Sequence, residues 1–282
     1  MKLSVFTVST PDLTPEELAV AAKEAGLHGI EWRFKDVPAE LASEAPSYWR
    51  NNLCSMPERG GAGEWDRFKA AADAQGLVSL SVTPYLSVGD LEATENVLVA
   101  AKHLGASYIR LAVPAYNRTR HARELFEEEL AYLKEAALLC KQYGVKGLIE
   151  THHNTIASSA SGTYRLVENF DPDVIGVLYD PGNMVYEGYE NYRFGLELLG
   201  PYLAHVHVKN AVWRQTEAVE SGSPVWSAGW QPLFEGIVPW PQVIEDLKAV
   251  GYDGYLGVED FSGQLPSKDM LRHYADYIGR LL

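Results

Sequence analysis

The stretch KGLIETHHNTIASSASGTYRLVENFDPDVIGVLYDPG, residues 146–182, contains two mainly apolar runs on either side of a helical segment. The runs KGLIETHH and IGVLYDPG have the length of strands, and SGTYRLVENF between them has the apolar spacing of a helix. Two strands joined through a helix pair in parallel, because a parallel pair needs a long crossover connection. The stretch therefore predicts one βαβ unit of an α/β fold.

The same alternation repeats along the rest of the chain. The eight strand-like runs, each followed by a helical segment, are KLSVFTVS (2–9), GIEWRF (29–34), VSLSVTP (78–84), YIRLAVP (108–114), KGLIETHH (146–153), IGVLYDPG (175–182), LAHVHVKN (203–210) and GYLGVED (254–260). Eight repeats in 282 residues predict a single (β/α)8 TIM barrel over residues 1–282. An open doubly wound sheet is the alternative, but such sheets usually carry a glycine-rich turn after the first strand, where this chain has STPDLT.

Local signals define several connecting segments. Thr14, Pro15 and Glu17 form a capping-box start for the first helix, and Gly26 ends it. The run 127–129, three glutamates on a long amphipathic helix, is expected to be a solvated face. A loop of about 25 residues is expected after the seventh strand.

Composition excludes several classes of protein. Lysine and arginine total 24 and aspartate and glutamate 38, so the net charge is −14, which disfavours nucleic-acid binding. Cys54 and Cys140 lie far apart, without zinc-type spacing, as expected of buried thiols in a reducing compartment. No leader pattern and no apolar run of membrane-spanning length is present. We therefore expect a cytoplasmic protein with no membrane association.

The last four predicted strands each end in a side chain that can bind a metal. These residues are Glu150, Asp180, His207 and Glu259. Barrel active sites lie at the carboxyl ends of the strands, so the four side chains are expected to converge. Without a cation, the three carboxylates would repel one another. The set predicts one divalent metal ion, with Mn²⁺ preferred and Mg²⁺, Co²⁺, Fe²⁺ or Zn²⁺ as alternatives.

The motifs IETHHN, LYDPGN, HVHVKN and GYLGVED, with PLFEGIVPWPQVIEDLKAVGYDGYLGVE before the last, carry a family resemblance. The chain resembles the xylose isomerase-like TIM-barrel family of sugar isomerases and epimerases, which is related to ketose 3-epimerases and inosose dehydratases. The resemblance implies that Glu150, Asp180, His207 and Glu259 bind the metal, and that Glu150 and Glu259 are also the acid–base catalysts. His205 lies one pleat deeper than His207, and we expect it to be a hydrogen-bonded core residue or a residue that supports the ligand above it.

One departure from the family pattern concerns the sixth strand. Many relatives have Asp-x-x-His there, whereas this chain has Asp180 followed by Asn183. The missing histidine is one that the related repair endonucleases need for a multi-zinc cluster. Together with the acidic charge, this argues against DNA repair.

Substrate contacts are expected from side chains around the four ligands. Tryptophan faces stack on sugar rings, and basic groups bind hydroxyls or an anionic substituent. The expected substrate-binding residues are His152, Asn183, Lys209, Arg214, Trp213 and Trp32. For the tryptophans in the loop after the seventh strand, packing on the barrel rim or in a subunit contact is equally compatible with the sequence, so a homo-oligomer stays open.

The resemblance implies a metal-dependent isomerase or epimerase that acts on a small sugar or polyol ketone through an enediolate. One glutamate would remove the proton alpha to the carbonyl, and the other would return a proton to the opposite face. The same groups would serve a dehydratase or other lyase that expels a β-hydroxyl. A non-catalytic sugar-binding barrel is the third alternative.

Overall fold

The computed structural model describes residues 1–282 and is built around a closed barrel of eight parallel strands. The chain has ten strands, of which β8 and β9 lie outside the barrel. In chain order they are β1 (Lys2–Phe6), β2 (Gly29–Arg33), β3 (Val78–Thr83), β4 (Tyr108–Arg110), β5 (Lys146–Glu150), β6 (Ile175–Tyr179), β7 (Leu203–Val208), β8 (Ala211–Glu220), β9 (Ser223–Trp230) and β10 (Tyr255–Val258). Around the barrel the order is β1, β10, β7, β6, β5, β4, β3, β2. The (β/α)8 prediction is confirmed.

Helices surround the barrel. They are α1 (Pro15–Glu24), α2 (Gly61–Ala74), α3 (Leu91–Leu104), α4 (Ala122–Tyr143), α5 (Ala160–Val167), α6 (Pro181–Tyr186), α7 (Tyr192–Leu199), α8 (Trp240–Ala249) and α9 (Ser267–Gly279). Short 3-10 helices span Thr7–Ser9, Ala39–Leu41 and Gly200–Tyr202. The first helix begins as predicted, because Thr14 and Glu17 form a reciprocal capping box.

Alternation along the strands separates the barrel interior from the helical layer. Trp32 in β2 packs edge-on against Phe68 of α2, so every second residue of this strand faces the helices. Glu31, its neighbour, faces inward and contacts His205 of β7 across the barrel. The interior of the carboxyl end is therefore polar, whereas the layer between strands and helices is apolar.

The segment after β7 differs from the predicted loop. It forms an antiparallel hairpin of β8 and β9, which pair from Ala211↔Trp230 to Glu220↔Ser223. Gly222 occupies the left-handed region at the turn, with φ +81°. The sequence prediction was wrong here because the run lacks the strict apolar alternation of a half-buried strand, and most of the hairpin is exposed.

The acidic run on α4 also differs from its prediction. The preceding glutamates at 127 and 128 are exposed, but Glu129 is fully buried and neither of its carboxyl oxygens has a hydrogen-bond partner. The reason is helical spacing, since Leu125, Glu129 and Leu133 recur every four residues and share the buried face. Burial raises the pKa of Glu129 to about 8.

None of the helices combines the length and the apolar character that a membrane-spanning helix requires.

Candidate metal centre and active site

Four side chains from neighbouring strands meet at the carboxyl end of the barrel. Glu150 ends β5, Asp180 follows β6, His207 lies in β7 and Glu259 follows β10. Their ligand atoms lie within 4.8 Å of one another, and all four residues are buried. The structure thus brings together the four residues that the sequence indicated as metal ligands.

The imidazole of His207 lies at the centre of this cluster. Its Nδ1 lies 3.6 Å from Glu150 Oε1, 3.8 Å from Asp180 Oδ2 and 3.7 Å from Glu259 Oε2. These distances are too long for hydrogen bonds, and this buried nitrogen has no hydrogen-bond partner. Ligands about 2.1 Å from one tetrahedral ion are separated by about 3.4 Å. The donor set and its spacing therefore fit a divalent metal ion.

A buried glutamate in β2 determines which nitrogen of His207 faces the cluster. Glu31 Oε2 lies 3.1 Å from His207 Nε2 and accepts its proton, so Nδ1 is the nitrogen that faces the cluster and can bind a metal. The other carboxylate oxygen, Oε1, accepts a 2.6 Å hydrogen bond from Thr83 Oγ1. Glu31 was not among the predicted site residues. The signal was a glutamate inside the otherwise apolar run GIEWRF.

His205 lies beneath His207 and is hydrogen-bonded on both sides. Its Nδ1 lies 3.1 Å from the carbonyl oxygen of Tyr255, and its Nε2 lies 3.0 Å from Glu31 Oε2. The ring thus lies between a backbone carbonyl and the carboxylate that also contacts His207. His205 is thus a hydrogen-bonded interior residue, as expected, and its link to His207 runs through Glu31.

Two cations, the partly buried Arg110 and the buried Lys209, contact the acidic cluster. Arg110 of β4 donates a 2.6 Å hydrogen bond to Glu150 Oε2. Lys209 Nζ lies 3.1 Å from Asp180 Oδ2 and forms an ion pair with Glu259 Oε2. The ammonium of Lys209 thus lies against two of the oxygen atoms that face His207. These oxygens therefore already attract a cation.

The two glutamates of the cluster have opposite pKa shifts. Burial raises the pKa of Glu150, but Arg110 and His207 outweigh burial and hold it well below its usual value. Burial also raises the pKa of Glu259, and Lys209 only partly offsets this, so the pKa stays raised. The difference follows from the partners, because a guanidinium holds Glu150 while other carboxylates surround Glu259.

Asn183, at the start of α6, is fully buried among the ligands. Its Nδ2 donates to Glu150 Oε1 at 3.1 Å and to Asp180 Oδ2 at 2.9 Å, and its Oδ1 accepts from Lys209 Nζ at 3.1 Å. These hydrogen bonds are all made within the protein, and the substrate contact of Asn183 stays a prediction. The side chain holds two carboxylates and an ammonium in place.

A cavity of about 280 Å³ opens beside the cluster. Of the predicted substrate-binding residues, His152 and Lys209 line it. The wall also contains aromatic and basic side chains that were not among the predicted substrate-binding residues. They include Trp49, Tyr85, Arg110 and Phe261.

Three predicted substrate contacts lie elsewhere. Trp32 is fully buried on the outer face of β2, where its Nε1 donates to Ser79 Oγ at 3.0 Å. Trp213 and Arg214 lie on the hairpin and bind Val185 O and Gln231 Oε1. None of the three lines the cavity. Strand alternation explains Trp32, and the hairpin, which the sequence did not predict, explains the other two.

A model of the family described as "Xylose isomerase-like TIM barrel" matches residues 19–281. The chain belongs to this family. The predicted resemblance is confirmed, and family members include epimerases and dehydratases that act on small sugars and polyols.

Individual relatives are more distant. The inosose dehydratase of Mesomycoplasma hyopneumoniae (strain 7448) is 24% identical, with 89% of this chain and 98% of that protein covered. The first curated relatives are matched over only about half of their length. The D-psicose 3-epimerase of Clostridium cellulolyticum H10 has a TM-score of 0.68 at 17% identity, covering 99% of this chain and 98% of that one. The zinc-bound IOLI protein has a TM-score of 0.74 at 16% identity, covering 100% and 99%.

Proposed function

We propose that this protein is a divalent-metal-dependent enzyme that transfers protons alpha to the carbonyl of a sugar or polyol ketone, and that isomerisation or epimerisation is its reaction. The observation that carries the proposal is the free Nδ1 of His207 among three buried carboxylates. A pocket with no ion or proton at this point would hold uncompensated negative charge in a buried site. The family membership supports the same chemistry.

The metal would be held by His207, Asp180, Glu150 and Glu259, with Mn²⁺ as the preferred ion. When bound, such an ion supplies Lewis-acid polarisation of a ketone carbonyl. The protein itself contributes the orientation of each ligand, because Glu31 holds His207 and Asn183 bridges two of the carboxylates.

Glu150 and Glu259 are the proposed acid–base pair. In the barrel, β7 and β6 separate the strands that carry them, so the two carboxylates approach the cavity from different sides. One glutamate removes the proton alpha to the carbonyl, and the other returns a proton to the opposite face of the enediolate. Arg110 and Lys209 contact these carboxylates and keep cations close to the developing negative charge.

Dehydration of a keto-polyol is the second candidate, and one observation favours it. Both oxygens of Glu150 are occupied, Oε1 by Asn183 and Oε2 by Arg110. An elimination needs a single free base, and His152 on the cavity wall is available to protonate the departing hydroxyl so that it leaves as water. The inosose dehydratase among the relatives agrees with this candidate.

Solvent-deuterium exchange tests the proposal. The protein is incubated in D₂O with Mn²⁺ and a panel of free and phosphorylated keto-sugars and inososes, and label in the recovered compounds is measured by NMR. We expect exchange that requires the metal and is lost in both Glu150→Gln and Glu259→Gln. An epimerised or isomerised product indicates the first candidate, and an unsaturated product indicates dehydration. Tight metal binding without exchange would favour a sugar-binding barrel.

A further inference from the structure

One buried cation at the carboxyl end of the barrel has no carboxylate partner. Arg33, the last residue of β2, is 4% exposed. Its guanidinium donates to Tyr85 Oη at 3.3 Å, to Ser55 Oγ and to the carbonyl oxygen of Trp49 at 3.5 Å. All three acceptors are neutral. A buried charge with only neutral partners carries a desolvation cost that a nearby anion would offset.

Arg33 lies directly behind the cavity wall. Two of its partners, Tyr85 and Trp49, line the cavity, and so does Arg110. The guanidinium carbons of Arg33 and Arg110 lie 5.4 and 5.3 Å from the centre of the Tyr85 ring. The ends of β2 and β4 thus place two guanidinium groups on the aromatic ring that follows β3.

The charges around the cavity do not balance when the proposed reaction is considered. Three carboxylates face the two cations Arg110 and Lys209, which leaves one negative charge. A divalent ion turns this into one positive charge, and transfer of a proton from the substrate to a glutamate leaves this total unchanged. Arg33 forms no ion pair with any of these carboxylates, and a neutral sugar offers it no anion.

We propose that the cavity wall at Tyr85 and Arg110, with the guanidinium of Arg33 directly behind it, binds an oxyanion substituent of the substrate, a carboxylate or a phosphate. The natural substrate is then an acidic polyhydroxy ketone. A planar guanidinium binds a carboxylate or phosphate through two parallel hydrogen bonds and more strongly than it binds hydroxyl or carbonyl oxygens. The oxyanion therefore competes well with Ser55 Oγ and Tyr85 Oη. This inference rests on the proposed function, because it places the reacting ketone at the metal centre.

Calorimetric binding to the Mn²⁺-loaded protein tests the inference without relying on turnover. The probes are D-fructose, D-fructuronate, in which a carboxylate replaces the terminal hydroxymethyl group, and D-fructose 6-phosphate. We expect at least one acidic probe to bind about tenfold more tightly than D-fructose, a conservative gain for one charge-assisted contact. The tighter of the two identifies the anion as carboxylate or phosphate.

Variants of Arg33 identify the site. In Arg33→Gln the advantage of the acidic probe should disappear, while the affinities for D-fructose and for Mn²⁺ stay unchanged. Ser55→Ala is the matched control, because it removes a partner of Arg33 but keeps the charge, and the advantage should remain. If Arg33→Gln does not fold, Arg33→Lys serves instead, and a reduced advantage with unchanged D-fructose binding is expected.

Two results would overturn the inference. Equal affinity for D-fructose and both acidic probes rejects the anion subsite and leaves the proposed function intact. An acidic-probe advantage that survives in Arg33→Gln also rejects it. Mn²⁺ binding without binding of any probe counts against the proposed function itself, and with it against the subsite.

Discussion

Glu31 Oε2 lies 3.1 Å from His207 Nε2, and this contact leaves the opposite nitrogen of the ring free to bind a metal. A carboxylate on the far nitrogen of a metal-binding histidine fixes the tautomer and raises the basicity of the other nitrogen. Thr83 in turn holds the second oxygen of Glu31. Hydrogen bonds therefore connect Thr83 of β3 to Glu31 of β2, and Glu31 to the metal-binding candidate His207 of β7.

Removing the carboxylate of Glu31 should weaken metal binding. In Glu31→Gln the amide can donate as well as accept, so the protonation of His207 is no longer fixed, and we expect Mn²⁺ affinity to fall about 10- to 100-fold. Competition with a fluorescent chelator measures this change. Thr83→Val should produce a smaller loss, and Thr83→Ser, which keeps the hydroxyl, should restore affinity. Unchanged affinity in a folded Glu31→Gln protein would show that Glu31 is only structural.

Asp180→Asn should abolish the stabilisation that the metal gives. Asparagine still caps α6, as Asp180 Oδ1 now does for the amide of Asn183, so the fold should survive. In the native protein, Mn²⁺ at 100 times its Kd should raise the free energy of unfolding by about 2.7 kcal/mol. Thermal melts with and without Mn²⁺ measure the effect. Asp66→Asn, on an exposed pair with His103, is the control and should respond to Mn²⁺ like the native protein.

The barrel and the four metal-binding candidates could be predicted because each depends on a local pattern. Strand–helix alternation defines the barrel, and the residue at each strand end then lies at the site without further information. Glu31 was within reach of the same argument. Glu31 and Trp32 are neighbours in GIEWRF and therefore lie on opposite faces of the strand. The apolar tryptophan belongs in the layer between strands and helices, so the glutamate faces the barrel interior.

Contacts between distant segments could not be predicted. The pairing of Arg110 with Glu150 depends on the barrel register between β4 and β5, in which Arg110 lies beside Leu148. The position of Trp49 on the cavity wall depends on the long connection after β2, which contains no regular pattern. The direction of Trp213 could not be predicted either, since the hairpin determines it.

Glu129 should make the stability of the protein fall as the pH rises. Its pKa is raised from 4.5 to about 8 in the folded state, so the unfolded chain ionises first. The contribution of Glu129 to the free energy of unfolding is constant below about pH 4, falls between about pH 4.5 and 8, and then levels off. Glu129→Gln should therefore stabilise the protein at pH 8.5 by on the order of 4 kcal/mol relative to its effect at pH 4.5.

Urea unfolding at the two pH values measures this difference. Glu127→Gln is the matched control, because Glu127 is exposed on the same helix, and its effect should be small at both pH values. A stability difference between Glu129→Gln and the native protein that does not vary with pH would contradict the assignment of a neutral buried carboxyl to Glu129.

Because Gly182 has no side chain, Lys209 packs directly against its backbone. A Cβ at Gly182 would lie 2.7 Å from both Cβ and Cγ of Lys209 and 2.9 Å from its carbonyl carbon, so a backbone shift at the end of β7 is required. Gly182→Ala should cost about 1–3 kcal/mol of stability, as overpacking does. Because Lys209 contacts both Asp180 and Glu259, solvent-deuterium exchange should fall more than the loss of folded protein explains. Gly63→Ala is the control, since no atom lies within 4 Å of its Cβ, and it should stabilise α2 by about 0.5–1 kcal/mol. Full exchange activity in Gly182→Ala would show that the position of Lys209 is not critical.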